Sequence, residues 1–252
     1  MRRKKIVAIA LTLLMIIGTV FSLCSCWYFW AVSTETKNIF ETDLFVCYYD
    51  KNTQDKTIKG IVILEFTEKG QEQEVIVIPK EINGLPVKGL CGQIMGYTVP
   101  YKLKSNKLKK LYVNAEYLGY AKGNPDKNEI TNVDIIWNTN ENALFLIDTF
   151  IAENNFYVAS SMLFFENYSM KYNEFKDSIH NGNIRYYIEK DNFYRIDNFS
   201  SDNLYVLPED PSKEGYIFGG WYTDEDFNNK WDKSFPKSQE EELNLYAKWV
   251  KA

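Results

Sequence analysis

The sequence predicts a mainly β fold: a short solenoid-like stretch of repeated strands, then a small sheet domain, all preceded by an apolar N-terminal helix. Three observations predict it. An uncharged run, IVAIALTLLMIIGTVFSL, follows a basic RRKK prefix. Segments rich in β-branched and aromatic residues are divided by polar turns. Toward the C-terminus, Pro, Gly and aromatic residues recur in ordered motifs.

The 252 residues suffice for one large domain or two small ones with a sizeable core. Hydrophobic residues make up 45% and charged residues 25%, a balance that excludes wholesale disorder. One His, His180, limits any Ser-His-Asp or Cys-His system to that residue and excludes a multi-His metal site. The net charge of −5 argues against nucleic acid as a partner, because phosphate binding needs clustered Lys and Arg. Arg2, Arg3, Lys4 and Lys5 hide a stronger acidity: without residues 1–25 the chain carries −9.

The N-terminal run after Arg2–Lys5 has the layout of a secretory signal. It is also long enough to cross a bilayer, with Trp27-Tyr28-Phe29-Trp30 as an interfacial belt. Leu23-Cys24-Ser25-Cys26 resembles the lipobox of bacterial lipoproteins, which implies a diacylglyceryl thioether on Cys26 as the first mature residue. Lipidation, an uncleaved anchor and full secretion stay open; all three send the body out of the cytoplasm. The remaining cysteines, Cys47 and Cys91, sit in apolar contexts and either pair or stay as buried thiols.

Residues 27–40 read as a spacer, with AVSTETKNIF as its polar end. From 41 to about 155 the text is β-rich. DLFVCYYD at 43–50 and IKGIVILEFTEKG at 58–70 are strand segments around the turn KNTQDKT. Val75-Ile76-Val77-Ile78 is a strand expected to be covered on both faces, stopped by Pro79, which has no N–H for a ladder bond. Asn83-Gly84 supplies a turn, since both residues tolerate positive φ. The segments LYV at 111–113 and VDI at 133–135 lie 22 residues apart, a solenoid-type spacing. Ile78-Pro79 and Ile82-Asn83-Gly84-Leu85-Pro86-Val87 resemble the BspA-type leucine-rich repeats of bacterial surface proteins, over roughly 58–140. The resemblance implies one strand and one return segment per unit.

Between 141 and 190 the composition turns aromatic. A helix across 143–153 competes with strands around 156–165, which the Phe, Tyr and Val content favours. His180-Asn181-Gly182-Asn183 reads as a turn, and Ile184–Glu189 as the next strand.

The most specific text spans 205–250. Pro208 and Pro211 are followed by Gly215-Tyr216-Ile217-Phe218-Gly219-Gly220-Trp221-Tyr222, then by Leu245-Tyr246-Ala247-Lys248-Trp249. These motifs resemble the internalin B-repeat, or Listeria–Bacteroides repeat, which implies a small β-grasp (ubiquitin-like) module of bacterial surface proteins. The domain is drawn over 156–252. Independently, Leu243, Leu245, Ala247 and Trp249 alternate with Asn244, Tyr246 and Lys248, as in a half-buried strand. Tyr216 and Phe218 share a face, and Gly219-Gly220 leave room for Trp221 to turn inward. The aromatic rings are therefore expected in a core, with an exposed sugar-stacking platform as the rival.

Asp224-Glu225-Asp226-Phe227-Asn228 imitates the start of an EF-hand loop, but Asn229 and Phe235 replace the required Gly and Glu. An acidic turn is the simpler reading, and Glu240-Glu241-Glu242 is a solvated charge run. No phosphate loop, nucleophile elbow or metal-ligand spacing is present. The expectation is a non-catalytic protein without cofactor or metal, held to the membrane through residues 1–26. It would serve adhesion or binding of a protein or glycan at the bacterial envelope, through ligand-binding residues that the sequence does not name. The alternatives are an extracellular carbohydrate-active enzyme and a purely structural stalk.

Overall fold

The computed structural model describes residues 38–51, 57–90, 103–114, 129–138, 154–158, 179–190 and 192–252. The basic and apolar N-terminal segment with Cys24 and Cys26, the WYFW stretch, Cys91, the helix expected at 143–153 and the strand text beyond Val158 lie outside the described residues. The chain divides into Met1–Phe40 and Glu41–Ala252. Of the first unit the described part is Asn38–Phe40, which opens a short strand β1 (Ile39–Glu41). The second unit carries the remaining elements. Among the described residues the architecture is mainly β, with fourteen strands and a single helical turn.

In the first sheet β2 (Phe45–Lys51) pairs antiparallel with β3 (Ile58–Phe66). Strand β6 (Leu85–Leu90) runs parallel to β3 and antiparallel to β5 (Glu81–Ile82). Asn83 and Gly84, at φ 54° and 73°, close the β5–β6 hairpin as a two-residue turn whose twist matches that of the strands. The strand expected over 58–70 stops at Phe66. Thr67 there accepts a bond from the Gly70 N–H through its hydroxyl and caps a helical turn, α1 (Glu68–Gln71), so local capping overrides the strand text.

The second sheet is a parallel ladder. Its strands are β4 (Val75–Ile78), β7 (Lys110–Val113), β8 (Asp134–Trp137), β9 (Asn155–Val158) and β10 (Ile179–Asn181), each bonded to the next. Ile76, Leu111, Ile135, Phe156 and Ile179 share one rung, so the chain advances by 35, 24, 21 and 23 residues per step. The triplets expected at a 22-residue spacing are thus offset by two: Leu111, Tyr112 and Val113 oppose Ile135, Ile136 and Trp137. Parallel register follows backbone bonding and lets Trp137 and Phe156 meet ring to ring at 5.2 Å, whereas Val133 is buried just before its strand. Buried Asn154 ties two steps together, accepting from the Val133 N–H and donating to the Ile130 carbonyl. His180 lies within β10, not in a turn, with its ring 5.4 Å from that of Tyr157. Long-range pairing with β9 outweighs the local turn preference of His-Asn-Gly-Asn.

The third sheet has the order β12-β11-β14-β13. Its strands are β11 (Ile184–Glu189), β12 (Asn192–Asp197), β13 (Tyr216–Tyr222) and β14 (Leu243–Lys251). The central pair, β11 and β14, is parallel, and each outer pair is antiparallel. One face builds a core from Ile184, Tyr186, Trp221, Trp231, Leu245 and Ala247. Tyr186 meets both buried tryptophans edge-on, at 5.1 and 6.2 Å; such pairs add about 0.5–1.5 kcal/mol beyond burial.

Strand β12 also joins this sheet to the ladder. Ile196 packs with Tyr112, Ile136 and Tyr157, and its backbone N–H donates to the Asn138 side chain, which satisfies an edge-strand donor. Beside it, Lys110 and Asp197 form a buried ion pair. The Asp197 carboxylate also accepts bonds from the Tyr112 hydroxyl at 2.7 Å and the Asn198 N–H at 2.7 Å. Burial pushes Lys110 down and Asp197 up, each toward its neutral form, against their mutual attraction.

Candidate functional site: an aromatic cleft in the C-terminal sheet

The site begins with a backbone irregularity. Phe218 opposes Trp249 and Trp221 opposes Ala247, so β13 spends one residue more than β14 between the two pairs. This bulge falls at Gly219-Gly220, with Gly220 at φ 105°. Simple alternation would send Phe218 and Trp221 to opposite faces. The bulge returns both to one face, where their rings meet at 5.2 Å. Trp221 thus turns inward at the glycine pair, as its sequence context implies.

The opposite face carries an aromatic row with one ring per strand. Tyr187 of β11 opposes Phe193 of β12 and Tyr246 of β14, and Tyr246 opposes Tyr222 of β13. Tyr187 and Tyr246 stack at 5.1 Å with ring planes 13° apart, and Phe193 lies 4.6 Å from Tyr187. All four rings are half-buried.

The register of β11 with β14 ends at Tyr187–Tyr246. Past that pair a cleft of about 200 Å³ opens between the strand ends, lined by Tyr187, Tyr246, Trp249 and Phe227, with Glu189, Lys190 and Glu225 at its rim. The Trp249 indole N–H donates to the Ile188 carbonyl at 2.8 Å and fixes that ring. Lys213 holds Glu189 at 2.8 Å and lies over the rings of Tyr216 and Trp249, at 5.0 and 5.8 Å.

Phe227 reaches the cleft from the acidic turn. The Asp224 carboxylate accepts from the N–H groups of Asn228 and Asn229, at 3.0 and 2.7 Å, and is thereby held below the ordinary carboxylate range. This wraps the chain so tightly that Phe227 adopts φ 56°, uncommon for a bulky side chain. Its ring meets Tyr222 edge-on at 5.7 Å, and the Lys248 ammonium lies over both rings, 4.9 Å from Tyr222 and 5.9 Å from Phe227.

The motif residues fall on both sides of this arrangement. Trp221 and Pro211 are buried, while Pro208, Phe218, Gly220, Tyr222, Tyr246 and Trp249 are half-buried. Tyr216, expected in the core beside Phe218, is 43% exposed, because it pairs with Lys251 beyond the end of the packed cluster. Gly215, at φ 76°, makes the turn before it. Tyr222 and Tyr246 belong to the outer row, not to the core. Asp224 serves the turn, and among the described residues no group of three or more His, Cys, Asp or Glu could hold a metal ion.

Tyr187, Glu189, Lys190, Glu225 and Phe227 were not singled out as ligand-binding residues. Glu225 and Phe227 stand inside the acidic segment that imitates a calcium loop, so the text marked the place but not its use. Tyr187 had no local signal, since its partner lies 59 residues away on a parallel strand.

Residues 168–248 match the family model of the Listeria-Bacteroides repeat domain. The match takes in β10 of the ladder, β11 to β13 and β14 as far as Lys248, and with them the residues named for the cleft apart from Trp249. No curated protein and no solved structure matches the chain.

Proposed function

We propose that this chain is a non-catalytic bacterial surface protein that binds a protein or glycan ligand at the cell envelope through its Listeria-Bacteroides repeat. The observation that carries this reading is the family match over 168–248, since that repeat is typical of bacterial surface or extracellular proteins. The four-stranded sheet, with its parallel central pair and antiparallel flanks, supports a β-grasp reading of the repeat. The parallel ladder, with steps of 21 to 24 residues over its later strands, supports a short leucine-rich-repeat-type solenoid before it. The N-terminal text supports export, with attachment through an acylated Cys26 or an uncut apolar segment.

The Asp224 carboxylate is taken up by two backbone N–H groups of its own turn, which supports reading the acidic segment as structural. The direct test labels intact cells with a membrane-impermeant amine reagent and then separates membranes. The chain is expected to be labelled and to sediment with the membrane fraction. A protected, cytosolic chain would overturn the reading, as would turnover of a glycan that disappears in Asp224→Asn or Asp226→Asn. Intact-mass analysis of the membrane form distinguishes diacylglyceryl-Cys26 from the uncut chain.

A further inference from the structure

Resting on that reading, we infer that the cleft between the ends of β11 and β14 is a binding site for one pyranose ring of a neutral glycan.

Its walls are rings, and its rim is polar. Tyr246 and Phe227 from the outer face and Trp249 from the core face leave narrow strips of apolar ring surface against which the C–H groups of one sugar pack, and Glu189 and Glu225 offer acceptors for its hydroxyls. Lys190 adds a donor. At about 200 Å³ the space is open-ended and suited to one ring of a longer chain, not to a folded protein surface.

Charge decides between ligand classes. A sulfated or phosphorylated ligand needs clustered cations; here Lys190 lines the space beside Glu189 and Glu225, Lys213 is bonded to Glu189, and Lys248 is drawn over the Tyr222 and Phe227 rings. An ammonium ligand would need open aromatic faces and unpaired carboxylates. Lys213 already bonds Glu189 and lies over Trp249, and Lys248 lies over Phe227, so the chain's own ammonium groups occupy those positions. A neutral polyol meets donors and acceptors here without displacing either lysine.

The strained backbone is an independent pointer. An aromatic residue at φ 56° sits in the left-handed region that favours glycine, a conformation that the surrounding structure must hold in place. Phe227 belongs neither to the core cluster nor to the joint with the ladder. What the strain achieves is a ring held across the cleft from β11.

The test titrates the full-length chain with neutral hexose oligosaccharides, a sulfated polysaccharide and tetramethylammonium, read by tryptophan emission and calorimetry. Saturable binding of a neutral oligosaccharide is expected, with a change in emission from Trp249. Phe227→Gly removes the ring while tolerating the positive φ, and is expected to weaken binding about tenfold with an unchanged melting temperature or a higher one. Glu225→Gln is expected to weaken it several-fold, and Ile217→Ala, on an exposed strand position away from the cleft, to leave it unchanged. Absence of neutral-sugar binding, preference for the sulfated or cationic probe, or full affinity in Phe227→Gly would each overturn the inference. Surface labelling stands apart from these outcomes: a surface-labelled chain that ignores sugars defeats this inference alone, and a cytosolic chain defeats the reading beneath it.

Discussion

Lys110 Nζ lies 2.6 Å from an Asp197 carboxylate oxygen, and both side chains are only 1% exposed. The lysine belongs to the ladder and the aspartate to the repeat, so the pair works as a joint between two sheets. Lys110 also donates to the Asn198 carbonyl at 2.8 Å and lies 4.8 Å from the Tyr205 ring centre.

Both groups are displaced by burial toward their neutral forms, so neither tolerates loss of its partner. Lys110→Met, which strands a buried carboxylate, and Asp197→Asn, which strands a buried ammonium, should each destabilise the fold by about 3–5 kcal/mol. The double variant should be more stable than either single one, because it leaves neither Lys110 nor Asp197 as a lone buried charge. Urea unfolding midpoints check this; additive losses would show that the pair does not act as a unit.

Two glycines should fail for different reasons when replaced by alanine. At Gly60 an added Cβ would sit 2.6 Å from the Pro86 carbonyl oxygen, so β3 and β6 must part. At Gly220 the nearest atom is the flexible end of Lys230, 3.1 Å away, and the φ of 105° is the obstacle instead. Gly220→Ala should cost about 1–3 kcal/mol and disturb the near-ultraviolet dichroism of Trp221, while Gly60→Ala should spare that signal. Thermal melts and dichroism of the two variants separate the mechanisms.

Cys47 is a buried free thiol whose pKa burial pushes up to about 12. It should resist alkylation at pH 8 in the native protein and react once urea unfolds the chain, as peptide mass mapping would show. Its folded pKa exceeds its unfolded one, so its contribution to stability is full below pH 9 and is lost as the pH rises toward 12. Cys47→Ala should flatten that part of the alkaline stability profile.

The Asp224 turn should respond to acid in the opposite sense. Bonds from the Asn228 and Asn229 N–H groups depress its pKa, so its stabilising effect is present above the ordinary carboxylate range and lost as the pH falls through the depressed value. Asp224→Ala should free the turn at neutral pH. Amide exchange at Asn228 and Asn229 is expected to speed up in that variant, with the melting temperature of the core little changed.

What the sequence determined by itself was local or contiguous. Pro79 could only end a strand, Asn83-Gly84 could only turn, and Ile184–Glu189 and Leu243–Lys251 carried enough strand pattern to be placed within a residue or two. The order of Pro, Gly and aromatic motifs marked the repeat, because each motif serves a bulge, a turn or a packed ring within a short span. What only the tertiary structure decided came from parallel pairing across long separations. It set the two-residue offset between Leu111 and Ile135, turned His180 into a strand residue and sealed Lys110 against Asp197. It also stacked Tyr187 on Tyr246 and so opened the cleft beyond them. Parallel neighbours are chosen by backbone bonding and the fit of distant side chains, and no local spacing of residue types encodes that choice.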